Sequence, residues 1–408
     1  MNNKQRVILH CDCNSFFASV ETALNPAYRN VPMAVCGSVE DRHGIVLAKN
    51  ELAKKYKIQT AETVFSAKKK CPGLVIATPH YEEYSKYSKR VNEIYARYTE
   101  LIEPFGIDES WLDVTASTKH FGSGEEIAEK IRQSVKAEIG ITVSIGVSFN
   151  KIFAKLGSDY KKPDAITVIS PENFKEIVFP LKTSEMIYIG RKTADFLYSM
   201  GIKTIGELAA TNPQMLVSKL GKAGEQIYLA ANGLDTSPVL PPEDDTTKSI
   251  SNGFTFRHNL VGFEECRVGT DFLSEEVGAR LRRHHQKCAT VSVAIKDEFL
   301  RVVQKQKGIN PPTNVAREIS SVAMELIREV WNENKPIRMI TVTASNLIDD
   351  GKIYEQIDFF DEDKYEKRQK EEKLEVAIDK IRRKFGGESI INGAFMDSDI
   401  GIYKKKQP

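Results

Sequence analysis

Residues 103–115 read EPFGIDESWLDVT, two strand arms joined by a turn. Asp108 and Glu109 stand side by side within it, where like charges repel and burial penalises both. On a straight strand the two would face opposite sides, so they reach one site only if the turn re-aims one of them. Adjacent acids on a hairpin are often plain surface charge, and their surroundings decide whether they mean more.

Upstream, RVILHCD (Arg6 to Asp12) reads as a buried strand, and NSFFASVETAL has helical spacing through Phe16, Val20 and Leu24. Asp12 thus sits at a strand end, followed by two aromatics. VPMAVCG is a second strand, and two Lys-rich helices, NELAKKYKI and VFSAKKKCPG, follow it in a small basic insert. A long amphipathic helix is expected from Tyr81 to Ile102. Ser123 with Glu126 forms a capping box for the next helix, which Gly140 ends. TVSIGVS and AITVIS are strands flanking the helix NKIFAKLGSDYKK, in which Lys151, Lys155, Lys161 and Lys162 lie largely away from Ile152, Phe153 and Leu156. The alternation makes an α+β sheet.

Past Pro171 the pattern is all-helical, and residues 234–247, with three prolines and a run of acids, read as an interdomain linker. Strand, helix, two strands, helix and strand then make a second α+β unit. A charged tail with one apolar cluster and a Lys/Glu-rich helix closes the sequence.

At 408 residues several domains are expected. No apolar run approaches the roughly 20 residues a membrane helix needs, and the first residues do not read as a signal peptide. The six cysteines lack the spacing of a zinc site or disulfide framework, which fits a reducing cytoplasm. Net charge is only +2, so nucleic-acid binding must rest on local basic clusters.

Asp12, Asp108 and Glu109 therefore form a trio of acids at strand ends and turns. Divalent cations are the economical way to neutralise it, and two ions about 3.5–4 Å apart make the clamp used in nucleotidyl transfer.

DCNSFFASVE, IDESWLDVT, SIGVSFNKIFAKLGSDYKKPD and KSISNGFTF occur in that order and resemble the motifs of the Y-family translesion DNA polymerases, most closely the bacterial DNA polymerase IV group. The resemblance covers about residues 6–350. It implies a multi-domain right-hand polymerase with an acid-bearing palm sheet (1–18 and 79–170), small fingers (19–78) and a helical thumb with a helix-hairpin-helix (171–233). After the linker at 234–247 come an α+β little finger (248–350) and a tail (351–408) with a clamp-binding peptide and a charged helix.

The same resemblance makes Asp12, Asp108 and Glu109, with the Cys13 carbonyl, the ligands of two Mg²⁺ ions. It places Phe16 and Phe17 at the nucleotide, with Phe17 as the steric gate against a ribose 2′-hydroxyl, and Lys54 and Lys162 on the triphosphate. Lys54 stands where many relatives have Arg, Glu51 where Tyr is frequent, Ala48 where Thr is, and Ala61 where Gly is. Gly190, Arg191 and Lys192 fall in the helix-hairpin-helix, whose first turn has Tyr188 in place of the usual Gly. These three residues, with Arg257, Arg282 and Arg283 of the last domain, are expected on the DNA backbone.

QIDFF resembles the bacterial sliding-clamp peptide through Gln356, Ile357, Phe359 and Phe360. The implied activity is error-prone, lesion-bypassing DNA synthesis from deoxynucleoside triphosphates on a primer–template, by a cytoplasmic monomer. A non-catalytic, clamp-tethered DNA-binding factor and a nucleotide cyclase on a related sheet are the competing readings. Without metal, Asp108 and Glu109 are expected splayed or bridged by water.

Overall fold

The computed structural model describes residues 5–38, 44–241, 247–352, 362–396 and 398–402. Two compact units result, one of Met1–Gly37 with Ile45–Asp245, the other centred on Thr246–Pro408.

In the first unit β1 (Ile8–Cys13) leads into α1 (Phe16–Leu24). β2 (Met33–Cys36), β3 (Val46–Lys49), α2 (Glu51–Lys54), α3 (Val64–Lys70) and β4 (Val75–Ala77) form the basic insert. α4 (Tyr81–Tyr95), β5 (Ile102–Pro104), β6 (Glu109–Asp113), α5 (Thr118–Phe121), α6 (Gly124–Ile139), β7 (Val143–Ser148), α7 (Lys151–Tyr160) and β8 (Ile166–Ile169) follow. Five helices complete the unit: α8 (Phe174–Val178), α9 (Arg191–Ser199), α10 (Ile205–Ala209), α11 (Pro213–Leu220) and α12 (Lys222–Ala231).

The main sheet runs β5-β6-β1-β7-β8, with β1 antiparallel to both neighbours. Strand alternation sends Leu9, Cys11, Cys13, Leu112, Val143 and Ile145 to one face, where they bury against Val91, Ile94, Ile131 and Val135 of α4 and α6. The opposite face carries His10, Asp12 and Trp111 and is covered by α7. Close approach there depends on Gly146, because a Cβ at this position would lie 1.9 Å from the Ala154 carbonyl oxygen. α7 turns Ile152, Phe153 and Leu156 the other way, into the core of the helical region.

The capping box forms: the Ser123 hydroxyl accepts from the Glu126 N–H, and Glu126 accepts from the Ser123 N–H. Two expectations need correction. α4 stops at Tyr95, and Ile102 pairs with Leu112 as an edge strand, because Thr99 bonds locally to the Leu101 N–H and the Asp113 carbonyl. The first part of the Pro-rich stretch is not loose: Val239 packs with Ile8, Trp111 and Ala154, and the Leu240 N–H donates to Glu103. Lys151, away from the apolar side of its helix, is nonetheless buried, its Nζ 2.6 Å from Glu103 and 4.4 Å above the Trp111 ring.

The second unit contains β9 (Ser249–Leu260), α13 (Phe263–Arg283), β10 (Gln286–Asp297), β11 (Val302–Thr313), α14 (Ala316–Val330), β12 (Ile337–Asp349), α15 (Glu362–Phe385) and α16 (Gly393–Met396). Its antiparallel sheet runs β11-β10-β12-β9, and α13 and α14 bury Leu273, Val277, Ile319 and Ile327 against it. The charged helix α15 lies on this unit through Arg282, Glu375 and Asp379, and Ile400 joins the core. Among the described residues no helix is long and apolar enough to cross a membrane.

Candidate active site

β1 and β6 set Asp12 directly opposite Glu109, so the two carboxylates share one face of the sheet. Asp108 precedes β6 in the turn, where strand alternation no longer applies, and its carbonyl accepts from the Cys13 N–H at 3.0 Å. The turn thus brings adjacent acids to one place: Asp12, Cys13, Asp108 and Glu109 line a cavity of about 320 Å³ together with Phe16, Phe17, Ala48, Lys49, Lys54, Thr60 and Lys162.

Asp12 and Glu109 are bridged by lysine. Lys155 Nζ lies 2.8 Å from Glu109 Oε2 and 3.1 Å from Asp12 Oδ2, and Lys162 Nζ lies 2.6 Å from Asp12 Oδ2. His10 Nε2 is 3.3 Å from Glu109. Burial pushes the Asp12 carboxyl up despite the two lysines. Burial and the charges of Asp12 and Glu109 push Asp108 up to about 6. Glu109 goes the other way, to about 2, because hydrogen bonds from His10 and Lys155 outweigh its burial.

This donor set suits a hard cation: three carboxylates on one cavity, with an ammonium already drawn between two of them. Asp12 and Glu109 are turned to the lysines, however, and among the described residues no three acid, His or Cys groups converge as a ready-made metal cluster.

Elsewhere on the cavity the Phe17 ring stacks on Tyr84, centroids 4.1 Å apart and planes at 11°, while Phe16 is buried in the core beneath. Tyr84 is held by its hydroxyl, which donates to buried Glu21. Glu51 accepts from Lys54 at 2.6 Å, so the acid in the Tyr position is neutralised locally. Ala61 has φ +68°, the left-handed conformation that Gly adopts without cost.

The sequence matches the impB/mucB/samB family over residues 11–159 and that family's C-terminal domain over residues 247–359. It is 46% identical to DNA polymerase IV of Acetivibrio thermocellus, over 98% of this chain and 99% of that protein. DNA polymerase IV of Clostridium kluyveri is 37% identical over 96% and 98%, and DNA polymerase IV 1 of Bacillus subtilis 33% over 98% and 95%. The chain belongs to the Y-family polymerases, in the DNA polymerase IV group.

A solved Y-family DNA polymerase chimera superposes on this Y-family chain with a TM-score of 0.75, at 25% identity, covering 84% of this chain and 99% of the chimera. Membership brings the α+β polymerase fold, polymerase activity of the translesion type and a general dependence on divalent metal.

Of the residues expected on DNA, Gly190 caps α9, and Arg191 and Lys192 are exposed at its start. Tyr188 takes φ +73°, the left-handed conformation that favours Gly. Arg283 is exposed, and the Arg257 N–H donates to the Ile400 carbonyl. Arg282 is misjudged: its side chain is 8% exposed and its guanidinium is bonded to Glu375 and Asp379, so it anchors α15 instead of meeting phosphate. Gln356, Ile357, Phe359 and Phe360 lie outside the described residues.

Sequence reasoning missed Lys155 as part of the site. Lys151, Lys155 and Ser158 recur at i, i+4 and i+7, a polar stripe along one side of α7 that could have pointed to the sheet face bearing Asp12.

Proposed function

We propose that the cavity at Asp12, Asp108 and Glu109 joins deoxynucleoside triphosphates to the 3′-hydroxyl of a DNA primer under template direction, with the low fidelity that lesion bypass requires. The observation that supports it most is the union of the three acids from the ends of two strands in one cavity also lined by Phe17, Lys54 and Lys162. Asp12, Asp108, Glu109 and the Cys13 carbonyl would hold two Mg²⁺ ions. Such ions lower the pKa of the attacking hydroxyl and neutralise charge on the triphosphate.

The protein's own groups do the rest. Lys54 and Lys162 bind phosphate oxygens as point charges. Phe17, fixed in depth by Tyr84 and Glu21, closes the space that a ribose 2′-hydroxyl would need. Gly190, Arg191 and Lys192 hold the duplex backbone, as do Arg257 and Arg283, without reading sequence.

The same proposal includes a palm of residues 1–18 and 79–170, fingers of 19–78, a thumb of 171–233 and a little finger of 248–350. It also includes sliding-clamp binding through residues 356–360, a monomeric state and a cytoplasmic location. Primer extension on an undamaged template with Mg²⁺ tests the catalytic claim. The wild type should extend and Asp108→Ala should not, while failure of both would favour a non-catalytic DNA-binding factor.

A further inference from the structure

We propose that Lys155 is a built-in competitor of the divalent ions, which holds Asp12 and Glu109 together in the metal-free chain and has to release them before the site fills. The inference rests on the assignment of those acids as metal ligands. Asp12 and Glu109 are direct cross-strand partners, an arrangement that repels unless a cation lies between them. Lys155 is that cation, at 3.1 and 2.8 Å, with a side chain only 15% exposed. It cannot drift with its helix, because α7 rests backbone to backbone on the sheet at Gly146.

An exit is also present. Asp159, one turn along α7, lies 3.4 Å from the Lys155 ammonium and already shares Lys162 with Asp12. A divalent ion bound by Asp12 and Glu109 displaces Lys155 toward Asp159. A triphosphate arriving with the ion gives both lysines anionic oxygens in exchange for the carboxylates they leave. Among the described residues Asp108 makes no ion pair, so this acid stays available for the incoming ion. Metal occupancy is thereby tied to the nucleotide: an ion alone competes with Lys155, whereas an ion with its triphosphate does not.

Mn²⁺ titration of the full chain, followed through the electron paramagnetic resonance signal of the free ion, tests this without catalysis. Without nucleotide, Lys155→Met should bind Mn²⁺ about tenfold more tightly than wild type, and Lys155→Arg should bind as weakly as wild type. With a dideoxy-terminated primer–template and the matching triphosphate, the advantage of Lys155→Met should shrink to about threefold or less. Equal or weaker nucleotide-free binding by Lys155→Met overturns the proposal. Should that variant not fold, judged by thermal unfolding with saturating Mn²⁺, the same titration of Lys155→Gln decides.

Adding Asp12→Asn to Lys155→Met should abolish the tight binding. If tight binding persists, the metal-ligand assignment itself fails. If Asp108→Asn alone loses metal but Lys155→Met matches wild type, only the role of Lys155 fails.

Discussion

Gly146→Ala should damage the first unit more than any single added methyl group ordinarily would. The new Cβ would lie 1.9 Å from the Ala154 carbonyl oxygen and 2.5 Å from the Ser158 nitrogen, both main-chain atoms of α7. No side chain can yield, so the helix must move about 1.5 Å to restore ordinary contact. That displacement would break the 2.8 Å bond between His10 and Ser158 and draw Lys155 from Asp12 and Glu109. Overpacking costs about 1–3 kcal/mol, and a backbone clash belongs at the upper end, about 3 kcal/mol.

Gly157→Ala is the internal control. Its closest neighbours would be the Gly146 Cα at 3.0 Å and the Thr167 carbonyl at 3.2 Å, a misfit of tenths of an ångström. The better helix propensity of Ala, worth about 1 kcal/mol, offsets much of it. Urea unfolding followed by Trp111 fluorescence in a Trp331→Phe background isolates the first unit. Gly146→Ala should lower the midpoint by about 1 M, for a slope of about 2–3 kcal/mol/M, and Gly157→Ala by much less. Equal shifts for the two variants would refute the close-approach reasoning.

Phe17→Ala should raise ribonucleotide incorporation about ten- to a hundredfold relative to deoxyribonucleotide, measured by single-nucleotide extension, and unchanged selectivity would remove Phe17 from the gate. Asp108, held near 6, must lose its proton to bind metal, so Mn²⁺ affinity should be flat above pH 6 and fall by up to about tenfold per unit below it. The raised carboxyl favours the fold fully only below its unfolded value, and that contribution is lost as pH rises through 6. Asp108→Asn should therefore stabilise the metal-free protein by about 1–2 kcal/mol at pH 8 and not at pH 4, a difference that thermal scans would detect. Arg282→Ala leaves Glu375 and Asp379 without their guanidinium and should destabilise the second unit by about 3–5 kcal/mol in urea, while the salt dependence of DNA binding stays unchanged. A shallower salt slope would return Arg282 to the DNA interface.

Local signals were the legible ones. The Ser123 capping box, the Gly140 helix end and the acid-bearing turn each depend on neighbours a few residues away, and each forms. What escaped depends on how an element is rotated or covered. In sequence Lys151 and Lys155 are set apart from the apolar side of their helix with no sign of what they meet, and the Gly146 contact fixes α7 so that they face Trp111 and Asp12. Arg282 sits in a basic run that suggests DNA, and only the return of α15 some ninety residues later supplies its carboxylates. Val239 belongs to a proline-rich stretch without periodicity, and its burial comes from tertiary packing alone. Ala61 and Tyr188 both take the left-handed backbone that favours Gly, so at these two positions the turn geometry is not legible from residue type.

The most direct test is the number of ions held by the three acids. In a complex of the full chain with dideoxy-terminated primer–template and the matching triphosphate, equilibrium Mn²⁺ binding should give two ions per wild-type chain. Asp12→Asn and Asp108→Asn, assembled into the same complex, should each retain fewer. Two ions retained in both variants would contradict the assignment of Asp12 and Asp108 as the metal ligands of this polymerase.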